Sequence, residues 1–161
     1  VEQVNKGVSV PEAAWNLTKS DQAGLTSNVD VKVTWDAIDS QSMGVHIDLG
    51  NNRVIALRGG TYLVGAHMGL DPDGGTAKMD DTRCKIFKNG VETVSVLYEY
   101  ETTNIYLQPI GIVYKMSLEA NDYIEIYINA DVAGSSAYSI ISSRSAGIFE
   151  DARFIGVLID D

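Results

Sequence analysis

The sequence predicts an all-β protein, an antiparallel β-sandwich of about ten strands with a polar N-terminal arm. From Asp30 onward apolar residues recur at alternate positions, with no sustained helical period. Turn signals come at short spacing, among them Leu49-Gly50-Asn51-Asn52, Gly59-Gly60 and Asn89-Gly90, and leave no βαβ rhythm. The stretch 116–128 shows both features: the end of one strand, an acidic turn, and a second strand with strict alternation. Ile124, Ile126 and Ile128 share one face of it and Tyr123, Glu125 and Tyr127 the other. Three isoleucines suit a core. Two tyrosines flanking a glutamate point to burial of the second face against another chain.

At 161 residues the chain is one domain long enough to bury a real core. Its net charge of −10 argues against a nucleic-acid partner, because phosphate binding needs clustered Lys and Arg. Between Asn89 and Ser143 the only base is Lys115, against Glu92, Glu99, Glu101, Glu119, Asp122, Glu125 and Asp131. A solvated acidic surface accounts for this; a docking face for a basic partner is the alternative. Cys84 is the only cysteine, so no internal disulfide forms, and its strand-like neighbours make it a small buried hydrophobe. No apolar run is long enough to cross a membrane as a helix, and the N-terminus shows no signal-type segment.

Residues 1–29 are polar and lack sustained alternation. Ser9-Val10-Pro11-Glu12 resembles a capping box with Pro11 in the first turn, which predicts one or two helical turns over 11–17. Trp15 and Leu17 are apolar anchors on this arm, placed to pack on its own domain or to reach a neighbour. Asn16-Leu17-Thr18 matches the N-glycosylation triplet, a pattern that also arises by chance.

The domain proper runs from 30 to 161. Val31, Val33 and Trp35 alternate as a first strand, and strands follow over 44–48 and 53–57. Tyr62, Val64, Ala66, Met68 and Leu70 form a large apolar set at period two, while Thr61, Leu63, Gly65, His67 and Gly69 between them are small or mixed. Such a strand lies mid-sheet with something close against it. Asn89-Gly90 joins 83–88 to 91–98 as a hairpin. Pro109 marks an edge or bend; Ile110, Ile112, Tyr114, Met116 and Leu118 share a face beyond it. A short strand lies over 138–141, and 153–159 is apolar on both faces and therefore central and buried.

No nucleophile elbow, zinc motif or phosphate loop occurs, which argues for a non-enzymatic protein without a cofactor. His46 and Asp48 lie on one strand face near Asp36 and Asp39, but no third ligand has fixed spacing. His67, among glycines, reads as a hydrogen-bonded interface histidine. Asp71, Asp73, Asp80 and Asp81 in the Gly-rich stretch 71–81 are the best cation candidates, since carboxylate oxygens suit Ca²⁺. The EF-hand pattern is incomplete there, and a solvated acidic loop is the preferred reading. Tyr98, Tyr100 and Tyr106 are placed to stack on a sugar, although cross-strand pairing explains them equally.

The order of landmarks resembles the trimeric jelly-roll superfamily of tumour necrosis factor and the globular head of complement component one, subcomponent q. These landmarks are Val33-Thr34-Trp35-Asp36, Gly60-Thr61-Tyr62-Leu63-Val64, Lys88-Asn89-Gly90, Leu118-Glu119-Ala120-Asn121-Asp122-Tyr123-Ile124, and Phe154-Ile155-Gly156-Val157-Leu158. Together they span about residues 30 to 160. Where that family commonly has Gly before the Asp, this chain has Asn121, which also tolerates the left-handed conformation.

The resemblance implies a ten-stranded jelly roll assembling as a compact homotrimer with aromatic residues near the threefold axis. The matching positions are Tyr62, Tyr123 or Tyr127, and Phe154. Glu125 would then bring three like charges together and need a partner, an ion or an altered pKa. Neither a collagen stalk nor a transmembrane anchor is present in the sequence, and the setting it most resembles is viral. The expected function is therefore a homotrimeric capsid decoration, or cement, protein stabilising a phage head. Its location is the virion surface and its partner the major capsid protein, with an arm carrying Pro11, Trp15 and Leu17 fastening it to the shell or a neighbouring copy. The alternatives are the receptor- or glycan-binding head of a phage fibre and a secreted complement- or cytokine-like ligand.

Overall fold

The computed structural model describes residues 12–73, 78–99, 107–135, 137–142 and 151–160. Pro11, Gly74, Gly75, Tyr100 and Tyr106 lie outside these residues. Thirteen strands run through the described residues in chain order. They are β1 (Ala14–Lys19), β2 (Gln22–Thr26), β3 (Val31–Lys32), β4 (Ala37–Gln41), β5 (Val45–Asp48), β6 (Arg53–Ala56), β7 (Gly60–Pro72), β8 (Lys78–Lys88), β9 (Val91–Glu99), β10 (Gln108–Leu118), β11 (Tyr123–Ala133), β12 (Ala137–Ile141) and β13 (Ala152–Asp160).

They form two antiparallel sheets. In the first, β7 is central: β10 runs along one side of it, and β13 followed by β12 along the other. The sheet continues from β13 to β1 and β4, and from β12 to β2. The second sheet has the order β5-β6-β11-β8-β9, with β3 also on β11. Turn chemistry sets these registers. Asn89 (φ 52°) and Gly90 (φ 78°) are both left-handed, as a two-residue primed hairpin requires. Asn121 (φ 76°) does the same work in the acidic turn before β11, where the Glu119 N–H donates to Asp122 Oδ2 at 2.7 Å.

The core lies between the sheets. β7 contributes Tyr62, Val64, Ala66, Met68 and Leu70, β11 contributes Ile124, Ile126 and Ile128, and Cys84, Ile86 and Phe154 join them. Burial pushes the Cys84 thiol up to about 12, so it is an inert core group.

Two expectations about the N-terminal third are corrected. The helical turns over 11–17 do not form where the structure describes the chain: Ala14–Lys19 is strand β1, paired with β13 and β4. Trp15 and Leu17 are two apart, so a strand places both on one face, whereas a helix would turn them away from each other. Nor is 12–29 an arm set apart from the sandwich, because β1 and β2 are built into the first sheet. Trp15 and Leu17 are core residues, and packing on their own domain is what the structure shows. The first expected strand shortens to β3, although Val33 and Trp35 still point into the core.

Candidate assembly face

The outward surface of the first sheet is a lattice of small and apolar side chains. Across β10, β7 and β13 the pairing aligns Gly111 with His67 and Arg153, then Val113 with Gly65 and Ile155. The next rows are Lys115 with Leu63 and Val157, and Ser117 with Thr61 and Asp160. The side-chain period of two puts all of these on the face opposite Tyr62, Val64 and Phe154. Val113 is 69% exposed, Ile155 42% and Leu63 40%, an unusual concentration of bare aliphatic groups at the centre of a sheet.

Gly65 makes this surface concave. Flanked by Val113 and Ile155, it floors a hollow of ≈ 270 Å³ lined also by Leu63, Gly156 and Val157. A Cβ at Gly65 would touch Val113 Cγ2 and the Ile112 carbonyl at 3.3 Å, so the missing side chain is what opens the hollow. A second hollow of ≈ 250 Å³ adjoins it over Gly111, His67 and Tyr98. The Tyr98 hydroxyl donates to the Gly111 carbonyl at 2.7 Å and accepts from the Gly111 N–H at 3.3 Å, tying β9 to β10. Polar groups rim the far side, where Arg153 reaches Asp39 at 3.1 Å and Asp151 at 3.0 Å. The Asn16 amide also donates to Asp39, at 2.9 Å. Chemically, such a face can exclude water when covered.

The five residues expected at a trimer axis do not share a surface. Tyr62 and Phe154 are wholly enclosed in the core, each 0% exposed, with the Tyr62 hydroxyl donating to the Arg58 carbonyl at 2.8 Å. They are corrected as interface residues, because no second chain can touch them. Their strand neighbours Leu63 and Ile155 hold the outward positions; a one-residue change of parity moves a side chain through the sheet.

Tyr123, Glu125 and Tyr127 lie on the outward face of the second sheet, on the opposite side of the sandwich. Glu125 finds its partner within the chain: Lys32 Nζ meets its Oε1 at 2.5 Å and covers it. Burial pulls the Lys32 pKa down, but the hydrogen bond and charge of Glu125 outweigh this and raise it. Lys32 also sits 5.7 Å from the Tyr127 ring, which stacks on Phe87 at 4.2 Å, and Arg53 lies 4.9 Å from the Tyr123 ring.

The candidate cation ligands are dispersed. Ser139 Oγ donates to Asp73 at 2.7 Å, and Asp81 faces Arg83 at 3.8 Å. With Asp71 on β7 and Asp80 on β8 included, no group of three or more His, Cys, Asp or Glu able to hold a metal occurs among the described residues. Asp48 is held by Asn51 and Arg53, and Asp36 by Ser20, while His46 stands exposed. The outward aliphatic residues of this face that the sequence reading did not single out are Leu63, Val113, Ile155 and Val157. Their signal was the small-residue side of 61–69, which implied a close neighbour without naming it.

No family model matches the chain, and no curated protein matches it in sequence. Among solved structures it is similar to murine APRIL in a crystal structure at pH 5.0. That likeness has a TM-score of 0.61 at 12% identity and covers 91% of this chain and 98% of that one. At this identity the likeness shows the fold alone, and the fold is a tumour-necrosis-factor-like jelly-roll sandwich.

Proposed function

We propose that this chain is a non-enzymatic structural protein that assembles as a homotrimer through the outward face of β10, β7 and β13. In that form it decorates a virus capsid at the virion surface, with the major capsid protein as its partner. The observation that carries the assembly is the aliphatic lattice of Leu63, Val113, Ile155 and Val157 around the Gly65 hollow. Covering it returns about 25 cal/mol for each Å² of apolar surface removed from water. Copies with a net charge of −10 repel one another at long range, which favours contact through a face whose centre is aliphatic. The resemblance of the sequence to trimeric jelly rolls, and the jelly-roll likeness of the fold, support three copies.

The capsid role rests on the resemblance to viral members of that superfamily. With Trp15 and Leu17 committed to the core, attachment through the N-terminus falls to residues ahead of β1, Pro11 among them. The glycan-binding alternative is weakened at Tyr98, whose hydroxyl is engaged by Gly111. The secreted-ligand alternative has the fold alone in its support. Light scattering tests the assembly: a trimer at micromolar concentration is expected, and a stable monomer refutes it. Mass spectrometry of purified particles tests the capsid role. Many copies per particle are expected, and a trimer missing from particles removes that role while leaving the assembly standing.

A further inference from the structure

Most bases near the described surface are neutralised within the chain. Lys32 is paired with Glu125, Lys85 with Asp30 and Glu92, Lys88 with Asp122, and Arg153 with Asp39 and Asp151. Lys115 differs. It stands exposed on β10 beside Val113, opposite Leu63, and makes no ion pair among the described residues. Asp160, exposed at the same end of β13, is likewise unpaired among the described residues. The two cannot meet within one chain, because β7 lies between their strands and places them about 10 Å apart across the sheet.

We infer that Lys115 of one copy pairs with Asp160 of the next when the assembly face is covered. This rests on the proposed assembly and names what fixes its register and its partner. An ammonium enclosed beside Val113 and Leu63 without a counter-charge would oppose association, so whatever covers this face has to bring a carboxylate. A second copy brings one. β10 and β13 flank β7 on opposite sides, so a ring contact sets the β10 side of one copy against the β13 side of the next. Rotation about an axis running along the strands keeps each residue at its own level. Lys115 is level with Leu63 and Val157, and Asp160 lies one row further on, level with Thr61 and Ser117. That offset of about 7 Å is within reach of a lysine's four-carbon stem.

The test compares Lys115→Glu, Asp160→Lys and the double exchange K115E/D160K by light scattering across a dilution series, with circular dichroism confirming the fold of each. Each single reversal is expected to weaken association about tenfold or more, and the double exchange to restore it. Wild-type association should also weaken as salt is raised, a measurement that needs no variant. Singles that associate like the wild type, or a folded double exchange that stays dissociated, overturn the inference. Leu63→Asp separates the two levels. If it dissociates the assembly while the charge variants do not, the face stands and the ion pair falls. If the wild type is itself monomeric, the face falls as well.

Discussion

Gly156 on β13 lies directly beneath the indole of Trp15 on β1: a Cβ at 156 would sit 2.1 Å from the ring carbons Cη2 and Cζ2. The two residues are partners in the β1–β13 register. With no side chain below it, the indole settles between the sheets, edge-on to Phe154 at 5.6 Å and tilted against Tyr62 at 6.0 Å. The N-terminal strand is thus locked to the C-terminal one by the absence of a methyl group.

Gly156→Ala should therefore destabilise the protein by about 3 kcal/mol, since the added methyl must push aside a packed indole. Urea denaturation measures this. Gly50→Ala is the control: its Cβ would meet only Asp48 Oδ1, at 3.6 Å, and the change should stay within about 0.5 kcal/mol. Equal effects at the two sites would show that the Trp15 contact is not what matters.

Ile155→Asp places a charge in the apolar lattice without disturbing the core, because the side chain points outward and is 42% exposed. It should weaken assembly about a hundredfold or more and yield a folded monomer. Sedimentation together with circular dichroism reports both properties, and a fully assembled variant would remove this face from the interface.

The Lys32–Glu125 pair predicts an alkaline effect. The folded-state pKa of Lys32 is raised above 10.5, so the pair's stabilisation is fully present below that value and is lost as pH climbs through the raised one. Glu125→Gln should cost about 1 kcal/mol at neutral pH, since Lys32 is partly solvated. Above the raised pKa the difference from wild type should vanish. Urea melts of both proteins across the alkaline range check the convergence.

Asp122 predicts the opposite limb. Burial pushes its carboxyl up, but the hydrogen bonds from Lys88, Asn89 and the Glu119 backbone prevail and hold it below 3.8. Its contribution is present above 3.8 and disappears as pH falls through the depressed value. Asp122→Asn should cost about 1–2 kcal/mol at pH 7 and progressively less under acid, as thermal melts between neutral pH and pH 2 would show. A difference independent of pH would mean that the turn depends on shape rather than on charge.

Much of the sandwich was legible along the chain. Ile124, Ile126 and Ile128 were placed in the core, Asn89-Gly90 in a hairpin and Asn121 in a left-handed turn, because each depends on residues only a few positions away. The segment over 11–17 was misassigned because a capping-box pattern and a proline outweighed the two-residue spacing of Trp15 and Leu17. Those two needed β13 beside them before they could read as a strand. The candidate face was half legible. The small side of 61–69 marked a surface open to close approach, while the aromatic residues drew the interface expectation to Tyr62 and Phe154, which point into the core.

That the chain is an antiparallel β protein, where its main turns fall and which side chains share a face can all be read along the chain, since period-two alternation and left-handed turn positions are local properties. Which face is inside depends on how the two sheets pack. β13 is apolar on both sides and β7 has small or mixed residues opposite its large ones, and the choice depends on the sheet packed about 10 Å away. Tertiary structure also decides what neutralises Glu125, because Lys32 lies 93 positions earlier in the chain, and no pattern along the strand carries information over that separation.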